Sequence, residues 1–502
     1  MSETNGRVKR WSVLIIVAFA MMMGYVFWDI VSPLSTTLKA PLEEGGMAWT
    51  ASEYGFYAGS YSIFNIFLLM LFLGGIILDK CGIRFTGLLA TGMMLAGAAV
   101  NWFALRYVVP TTYVEMPVTL FGLIPEHLKT QVLVSALGFG MFGVGCDITG
   151  ITVSKVVTKW FTGHELASAM GIQVAMARLG TASAISLSPV IAQSFGLSAP
   201  LLVGTLLLLA GFLMFGVYTF MDRDVEKLRG LEVETLRGSE VETLRGSEVL
   251  SPLRSESAPA GRAENVENVE NVEKVKKAEE SPSLMKAYVS ALLTNRGFWL
   301  IAILCVLFYT SLRPFLKFAT DVLVNKYGLD PVTAGWIVSL LPYGTIVLTP
   351  LFGSIYDRIG RGATLMLTGC ALVFVCHVVL ALPIVNTPWV AALMMVLLGV
   401  AFSLVPSAMW PSVPKLVPLK VLGTSYSIIY YIQNIGLMLM PMLVGNIIDD
   451  YTSADGHVDF TVPMSVFAVF ALAATLVAAL LLYMDKRMGY GLEKANISKV
   501  TK

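Results

Sequence analysis

The sequence predicts an all-α membrane protein of about twelve transmembrane helices in two pseudo-symmetric six-helix halves. Three observations carry that prediction. Of 502 residues, 56% are apolar and 14% charged, whereas a soluble domain carries about 25% charged residues. Apolar runs of about 20 residues, long enough to cross a hydrocarbon core of about 30 Å, recur along the chain. One short pattern occurs twice, as Gly75-Ile76-Ile77-Leu78-Asp79-Lys80-Cys81-Gly82-Ile83-Arg84 and as Gly353-Ser354-Ile355-Tyr356-Asp357-Arg358-Ile359-Gly360-Arg361. A pattern repeated at matching places marks an internal duplication.

The first span is predicted at 11–34, behind Arg7, Lys9 and Arg10. Its run is too long for a signal peptide and lacks a small-residue cleavage site, so it reads as a span. Spans two and three, at 56–78 and 85–106, flank the first copy of the pattern. Spans four to six follow at 131–154, 166–191 and 199–220, and span seven at 297–318. Spans eight and nine, at 333–355 and 364–384, flank the second copy; 389–411, 424–447 and 462–484 complete the set. Lys155 and Lys159 follow span four, Lys415 and Lys420 span ten, and Lys486 and Arg487 span twelve. The alternate loops are poor in Lys and Arg, and the loop after span eleven is acidic, with Asp449, Asp450, Asp455 and Asp459. By the positive-inside rule both chain ends are cytoplasmic, and the even span count agrees.

The halves are then 1–221 and 291–502, the second with a cytoplasmic tail. Residues 222–290 carry the tandem Val233–Glu240 and Val241–Glu248 octapeptides and a Glu-Asn-Val triplet array from Glu264 to Glu273. This composition predicts a disordered, low-complexity cytoplasmic linker. An insertion there is tolerated because longer loops cost little extra entropy.

A net charge of +1 implies no nucleic-acid partner. None of the five cysteines (Cys81, Cys146, Cys305, Cys370, Cys376) has metal-ligand spacing, and no disulfide framework is expected. There is no nucleotide-binding loop, metal cluster or catalytic dyad, which argues against an enzyme or an ATP-driven pump. No cofactor is expected, and the chain reads as a monomer in the bilayer.

Ionisable residues inside spans are expensive and mark function. Four stand out. Asp147 lies in span four, about 12 Å above its cytoplasmic end, and Arg178 in span five, about 21 Å up counting from His164. Two arrangements fit these antiparallel neighbours: a direct ion pair, or two charges facing a cavity and holding opposite ends of a zwitterion. An Arg fork suits a carboxylate, and an Asp suits an ammonium. Asp29, about 28 Å up span one, and Arg313, about 24 Å up span seven, sit at equivalent places in the two halves. They fit an outer gate pair, a secondary substrate contact or solvated surface residues. Lys317, one turn further out, reads as snorkelling to the interface. Gln173 and Asn434 bond either a neighbouring helix or a substrate, Trp410 walls the pocket or packs against core or lipid, and His377 reads as packed or interfacial rather than a proton relay. Asp79 with Arg84 and Asp357 with Arg361, at cytoplasmic helix ends, read as gating residues that lock short loops rather than touch substrate.

The doubled pattern is similar to the Gly-x-x-x-Asp-(Arg/Lys)-x-Gly-x-(Arg/Lys) signature of the major facilitator superfamily; the second copy closes one residue early, at Arg361. More narrowly, several stretches resemble the lysosomal dipeptide transporter family. They are Gly143-Val144-Gly145-Cys146-Asp147, Trp160-Phe161 with Glu165-Leu166, Met176-Ala177-Arg178 with Gly180, Phe298-Trp299-Leu300-Ile301, Trp410-Pro411, and Ile432-Gln433-Asn434-Ile435-Gly436. The resemblance implies a major facilitator fold with its substrate site near the midplane between the halves. It also implies that Asp147 anchors a peptide amino group and Arg178 its carboxylate. The family has a Glu where this chain has Asp147, one methylene shorter, and Arg313 and Lys317 depart from its pattern.

The sequence therefore reads as a secondary transporter of dipeptides or similar small zwitterions, working by alternating access as a uniporter or proton-coupled symporter. Small carboxylates or amino acids are an alternative cargo, and a non-transporting receptor or scaffold is an alternative of another class. The ten-residue N-terminal tail has no room for an acidic dileucine sorting signal. The Asn496-Ile497-Ser498 sequon falls on the cytoplasmic side, so the expected location is a bacterial plasma membrane.

Overall fold

The structure, a computed structural model, describes residues 3–161, 165–248, 293–418, 421–454 and 456–495. His164, Lys420, Asp455 and Asn496 of the sequence reading lie outside these. The chain is built from long helices: α1 (Glu3–Asp29), α2 (Ser35–Lys39), α3 (Ala51–Ser60), α4 (Ile63–Phe67), α5 (Met70–Tyr107), α6 (Thr130–Phe161), α7 (Leu166–Phe195) and α8 (Ala199–Glu248). After the segment joining the halves come α9 (Arg296–Tyr327), α10 (Pro331–Ile359), α11 (Gly362–Ala381), α12 (Pro388–Leu416), α13 (Leu422–Asp450) and α14 (Thr461–Met488). Among the described residues, 11 helices are long and apolar enough to cross a membrane. The twelfth crossing is the second, and it is not one helix. It runs through α3, α4 and the first part of α5, broken at Tyr61–Ser62 and again at Leu68–Leu69.

The signature pattern is where α5 reverses. Gly82 has φ 79° and ψ 172°, open to glycine and costly for any residue with a Cβ. In the second copy Gly360 has φ 80°. The two glycines therefore end spans two and eight and start spans three and nine. Asp79 reaches Lys155 at the end of α6, 2.6 Å away, so the first turn is tied to a neighbouring helix end. At the second turn the tail folds back: Glu493 accepts from Thr364 N (2.9 Å) and Thr364 Oγ1 (2.9 Å), and Arg361 N donates to Glu493 O. Arg7 lies 3.8 Å from Glu165 at the α6–α7 turn. The start of α1 and the described segment after α14 thus lie on the face that carries these turns, here the terminal face; the opposite one is the far face.

Capping follows the sequence where the chain turns outside the spans. Asp330 caps α10, accepting from Val332 N and Thr333 N at 3.1 and 3.0 Å ahead of Pro331. Hydrogen bonds from Thr333, side chain and backbone, hold the Asp330 carboxyl below its ordinary value. On the far face the connection between α5 and α6 carries a short antiparallel hairpin, Tyr113–Glu115 with His127–Lys129.

The sequence reading placed disorder over 222–290. The backbone of α8 instead stays helical to Glu248, since Glu, Leu and Arg are strong helix formers; residues 249–292 lie outside the described residues.

The two halves meet closely on the far face, where α3 crosses α13. A Cβ on Gly55 would stand 2.3 Å from Pro441 O, and one on Gly445 2.3 Å from Ala51 O. Small residues let helix backbones approach within a membrane. Asp449 fastens the crossing by accepting from Ala51 N and Ser52 N, both at 2.7 Å, so one half caps a helix N-terminus of the other. Such a charged acceptor suits the positive end of the helix dipole.

Gly445→Val should therefore wedge α3 from α13 and hold the far face open. The check is thiol labelling from the far side of a cysteine placed at Ala58, in a background with the exposed Cys81 replaced by Ser. Labelling should rise several-fold over the same cysteine with Gly445 intact.

Candidate functional site

The break in span two builds the first part of the site. Where α3 stops and α4 starts, Tyr61 and Asn65 turn toward α6. Tyr61 OH donates to Asp147 Oδ1 at 2.7 Å, and Asn65 Nδ2 donates to Asp147 Oδ2 at 2.6 Å. Both carboxylate oxygens are thus held by neutral donors. Between them in sequence, Ser62 Oγ donates to Asn434 Oδ1 on α13 at 2.7 Å. The break thereby carries a hydrogen bond from the first half to the second.

Arg178 is on α7. It does not pair with Asp147: among the described residues no ion pair joins them, and the direct-pair alternative is not what the structure forms. Its guanidinium carbon instead lies 4.4 Å from the centroid of the Phe402 ring on α12. Its buried Nη1 has no hydrogen-bond partner. A guanidinium over an aromatic face is attracted by the ring quadrupole, which holds the charge without using its N–H fork.

Asp29, at the end of α1, is almost fully buried. Arg313 Nη1 on α9 stands 3.6 Å from Asp29 Oδ2, and Lys317 Nζ donates to Asp29 Oδ1 at 2.7 Å. Lys317 also donates to Trp28 O at 2.7 Å and Ser32 Oγ at 3.0 Å. The snorkelling expectation for Lys317 is therefore corrected. One turn beyond Arg313, it falls on the same face of α9 and points inward, where a carboxylate, a carbonyl and a hydroxyl satisfy its three donors. Arg313 stacks over Trp28 at 4.7 Å and lies 5.5 Å from the Phe402 centroid. Trp28 in turn stacks on Tyr61 at 4.3 Å, with the rings 3° from parallel. Trp28, Tyr61, Asp29, Arg313 and Lys317 all line one cavity between the halves.

A second tier of contacts lies nearer the far face. Lys39 pairs with Asp321, which also accepts from Thr36 Oγ1 at 3.1 Å, so α2 is tied to α9. Within the first half, buried Glu53 pairs with Lys129 at 2.8 Å and completes the capping box of α3 with Thr50.

The remaining expected site residues divide. Trp410 packs against Tyr430 (4.9 Å, stacked) and donates Nε1 to Tyr309 OH at 3.3 Å, forming an aromatic group in the second half beside α9. Gln173 donates to Ser154 Oγ at 3.1 Å and Met21 Sδ at 3.3 Å, so it ties α7 to α6 and α1. Asn434 bonds across the halves, as above. Asp79, Arg84, Asp357 and Arg361 all lie in or beside the two terminal-face turns, away from the cavity. His377 is buried between Phe315 and Phe467. Tyr61, Ser62, Asn65 and Phe402 were missed. The signal for the first three was present: Ser60-Tyr61-Ser62 with Asn65 is a polar run inside an apolar span.

This chain can be set beside known proteins. It is 27% identical to the lysosomal dipeptide transporter MFSD1 of Danio rerio, over 100% of this chain and 93% of that one. To the Homo sapiens protein of the same name it is 24% identical, over 97% and 88%. Among solved structures, the nucleoside transporter NupG superposes with a TM-score of 0.61 at 14% identity, covering 94% of this chain and 99% of that one. The peptide transporter POT in complex with sulfate does so with a TM-score of 0.61 at 12% identity, covering 97% and 96%. The family model described as Major Facilitator Superfamily matches residues 13–323 and 298–496. With that match running through both halves, and the signature turning at Gly82 and Gly360, the chain belongs to the Major Facilitator Superfamily.

Proposed function

We propose that this protein is a secondary transporter of dipeptides or similar small zwitterions that works by alternating access, with Asp147 taking the cargo's ammonium and Arg178 its carboxylate. The observation that carries the reading is that these two opposite charges lie unpaired with one another beside the interface between the halves. A scaffold has no use for such charges, because an unmatched ion in a membrane interior is costly. The relatives are named as dipeptide transporters, which supports the same cargo class. Those relatives are animal lysosomal proteins, which stands against the bacterial plasma membrane expected from the short N-terminal tail; a multi-pass membrane protein is what remains of that expectation.

In this reading Asp29, Arg313 and Lys317 form the gate on the far face. Closure joins α1 of one half to α9 of the other through a buried carboxylate and two cations. Opening must separate them, and binding energy from cargo offsets the cost. Asp79 with Arg84 and Asp357 with Arg361 act on the terminal face as conformational residues.

Removing one partner of a buried pair costs about 3–5 kcal/mol, since the other charge is left unmatched. Lys317→Met should therefore shift the protein toward far-face-open states more than Arg313→Met does, because Lys317 makes the direct hydrogen bond to Asp29. Pairing Lys317→Met with Asp29→Asn should recover part of the loss. Double electron–electron resonance between spin labels on α3 and α13 measures the distribution; equal shifts in the two single variants would count against this division of the gate.

Arg178→Ala should nearly abolish dipeptide binding, and Arg178→Lys should rescue it poorly, because a point charge cannot reproduce a planar fork. Capped substrates test the assignment of ends. N-acetylation should weaken wild-type binding strongly yet add little to the defect of Asp147→Asn. C-amidation should behave likewise against Arg178→Gln. If both caps are penalised equally in every background, these two residues do not clamp the substrate's ends.

A further inference from the structure

We infer that the cargo this chain prefers carries one more carboxylate than a neutral dipeptide, and that Arg313 receives it. The inference rests on the proposed dipeptide site and names a residue that sets its selectivity.

Asp29, Arg313 and Lys317 line the cavity; Asp147, bonded to its Tyr61, and Arg178, at the Phe402 ring that Arg313 also approaches, lie beside it, and these charges do not balance. Arg178, Arg313 and Lys317 supply three positive charges, and Asp29 and Asp147 two negative ones. The nearby acids are already spent elsewhere: Asp321 on Lys39, Glu53 on Lys129. A zwitterion held by Asp147 and Arg178 adds no net charge and leaves the excess cation in place. An uncompensated charge in a low-dielectric interior is costly, so a cargo that brings one further anion is favoured.

The geometry says which cation is in excess. Lys317 hydrogen-bonds Asp29 at Oδ1, 2.7 Å away. Asp29 Oδ2 faces Arg313 Nη1 at 3.6 Å and has no hydrogen-bond partner. That distance is a Coulombic contact, beyond hydrogen-bonding range. Arg313 therefore keeps its N–H fork, although it is more than nine-tenths buried. It is held by π-faces, over Trp28 at 4.7 Å and toward Phe402 at 5.5 Å. Arg178 approaches the same Phe402 ring at 4.4 Å. Two guanidinium groups, one from each half, thus flank a single ring with donors uncommitted. Each fork matches a carboxylate. A peptide whose α-carboxylate engages Arg178 and whose acidic side chain engages Arg313 would join the halves through its own two anions.

The test compares alanyl-glutamate, its neutral isostere alanyl-glutamine, and alanyl-lysine as competitors and as substrates in proteoliposomes. The readout is the affinity ratio of glutamate to glutamine peptide within each protein, so that defects in gating or abundance cancel. In the wild type that ratio should be about 10 or more, the size of one charged hydrogen bond, with the lysine peptide weakest. Arg313→Gln should bring the ratio near one, and Arg313→Lys should retain part of it. A wild-type ratio near or below one, or a ratio that survives Arg313→Gln, overturns the inference; the wild-type value decides even if a variant does not fold. If the glutamine peptide binds and the glutamate peptide gains nothing, the selectivity is wrong and the dipeptide site stands. If none of the three peptides binds, the dipeptide reading itself has failed and the inference falls with it.

Discussion

The closed far face depends on one buried carboxylate. Asp29 ends the first helix, and the second half reaches it with Lys317 and Arg313 from a single face of α9. A carboxylate in that position would be too costly alone and is too short to reach water. Once paired, it specifies how the halves sit on the far side: Tyr54 donates to Lys317 O at 2.8 Å, and Lys39 reaches Asp321 one turn further along α9. Ionic contacts of this kind add little net stability but can fix register.

The break in span two is the second constraint. A membrane helix satisfies its own backbone, and irregular backbone is tolerated there only where it is buried in protein or lines a cavity. At Tyr61–Ser62 the interruption brings Tyr61 and Asn65 onto Asp147 and Ser62 onto Asn434. The same few residues thus touch the proposed ammonium site and the interface between the halves.

Aromatic faces hold the two guanidinium groups at the site, which no carboxylate among the described residues hydrogen-bonds. Trp28 and Phe402 support Arg313, and Phe402 supports Arg178. A ring holds a guanidinium in place while leaving its in-plane N–H groups free. A carboxylate in bidentate hydrogen-bonded contact would have consumed them. The arrangement leaves guanidinium donors uncommitted in and beside the cavity.

Much of this was determined by the sequence alone. Run length and composition dictate the spans because the bilayer is a solvent of set thickness. The doubled pattern dictates the two halves, and its glycines the turns at Gly82 and Gly360, because only glycine accepts those backbone angles freely. Asp29, Asp147, Arg178 and Arg313 were legible as site candidates because charge within an apolar run is costly. Partnership was decided only by the tertiary structure. Along the chain Asp147 and Arg178 could pair or face a cavity separately, and the structure holds Asp147 by Tyr61 and Asn65, and Arg178 by Phe402. Lys317 looks like an interfacial residue, yet it is the direct partner of Asp29. One-dimensional spacing gives height along a helix but not azimuth, and azimuth decides which side chains meet. The break in span two was hidden for a related reason: hydropathy averages over it, and only the neighbours that take up its polar groups make it stable.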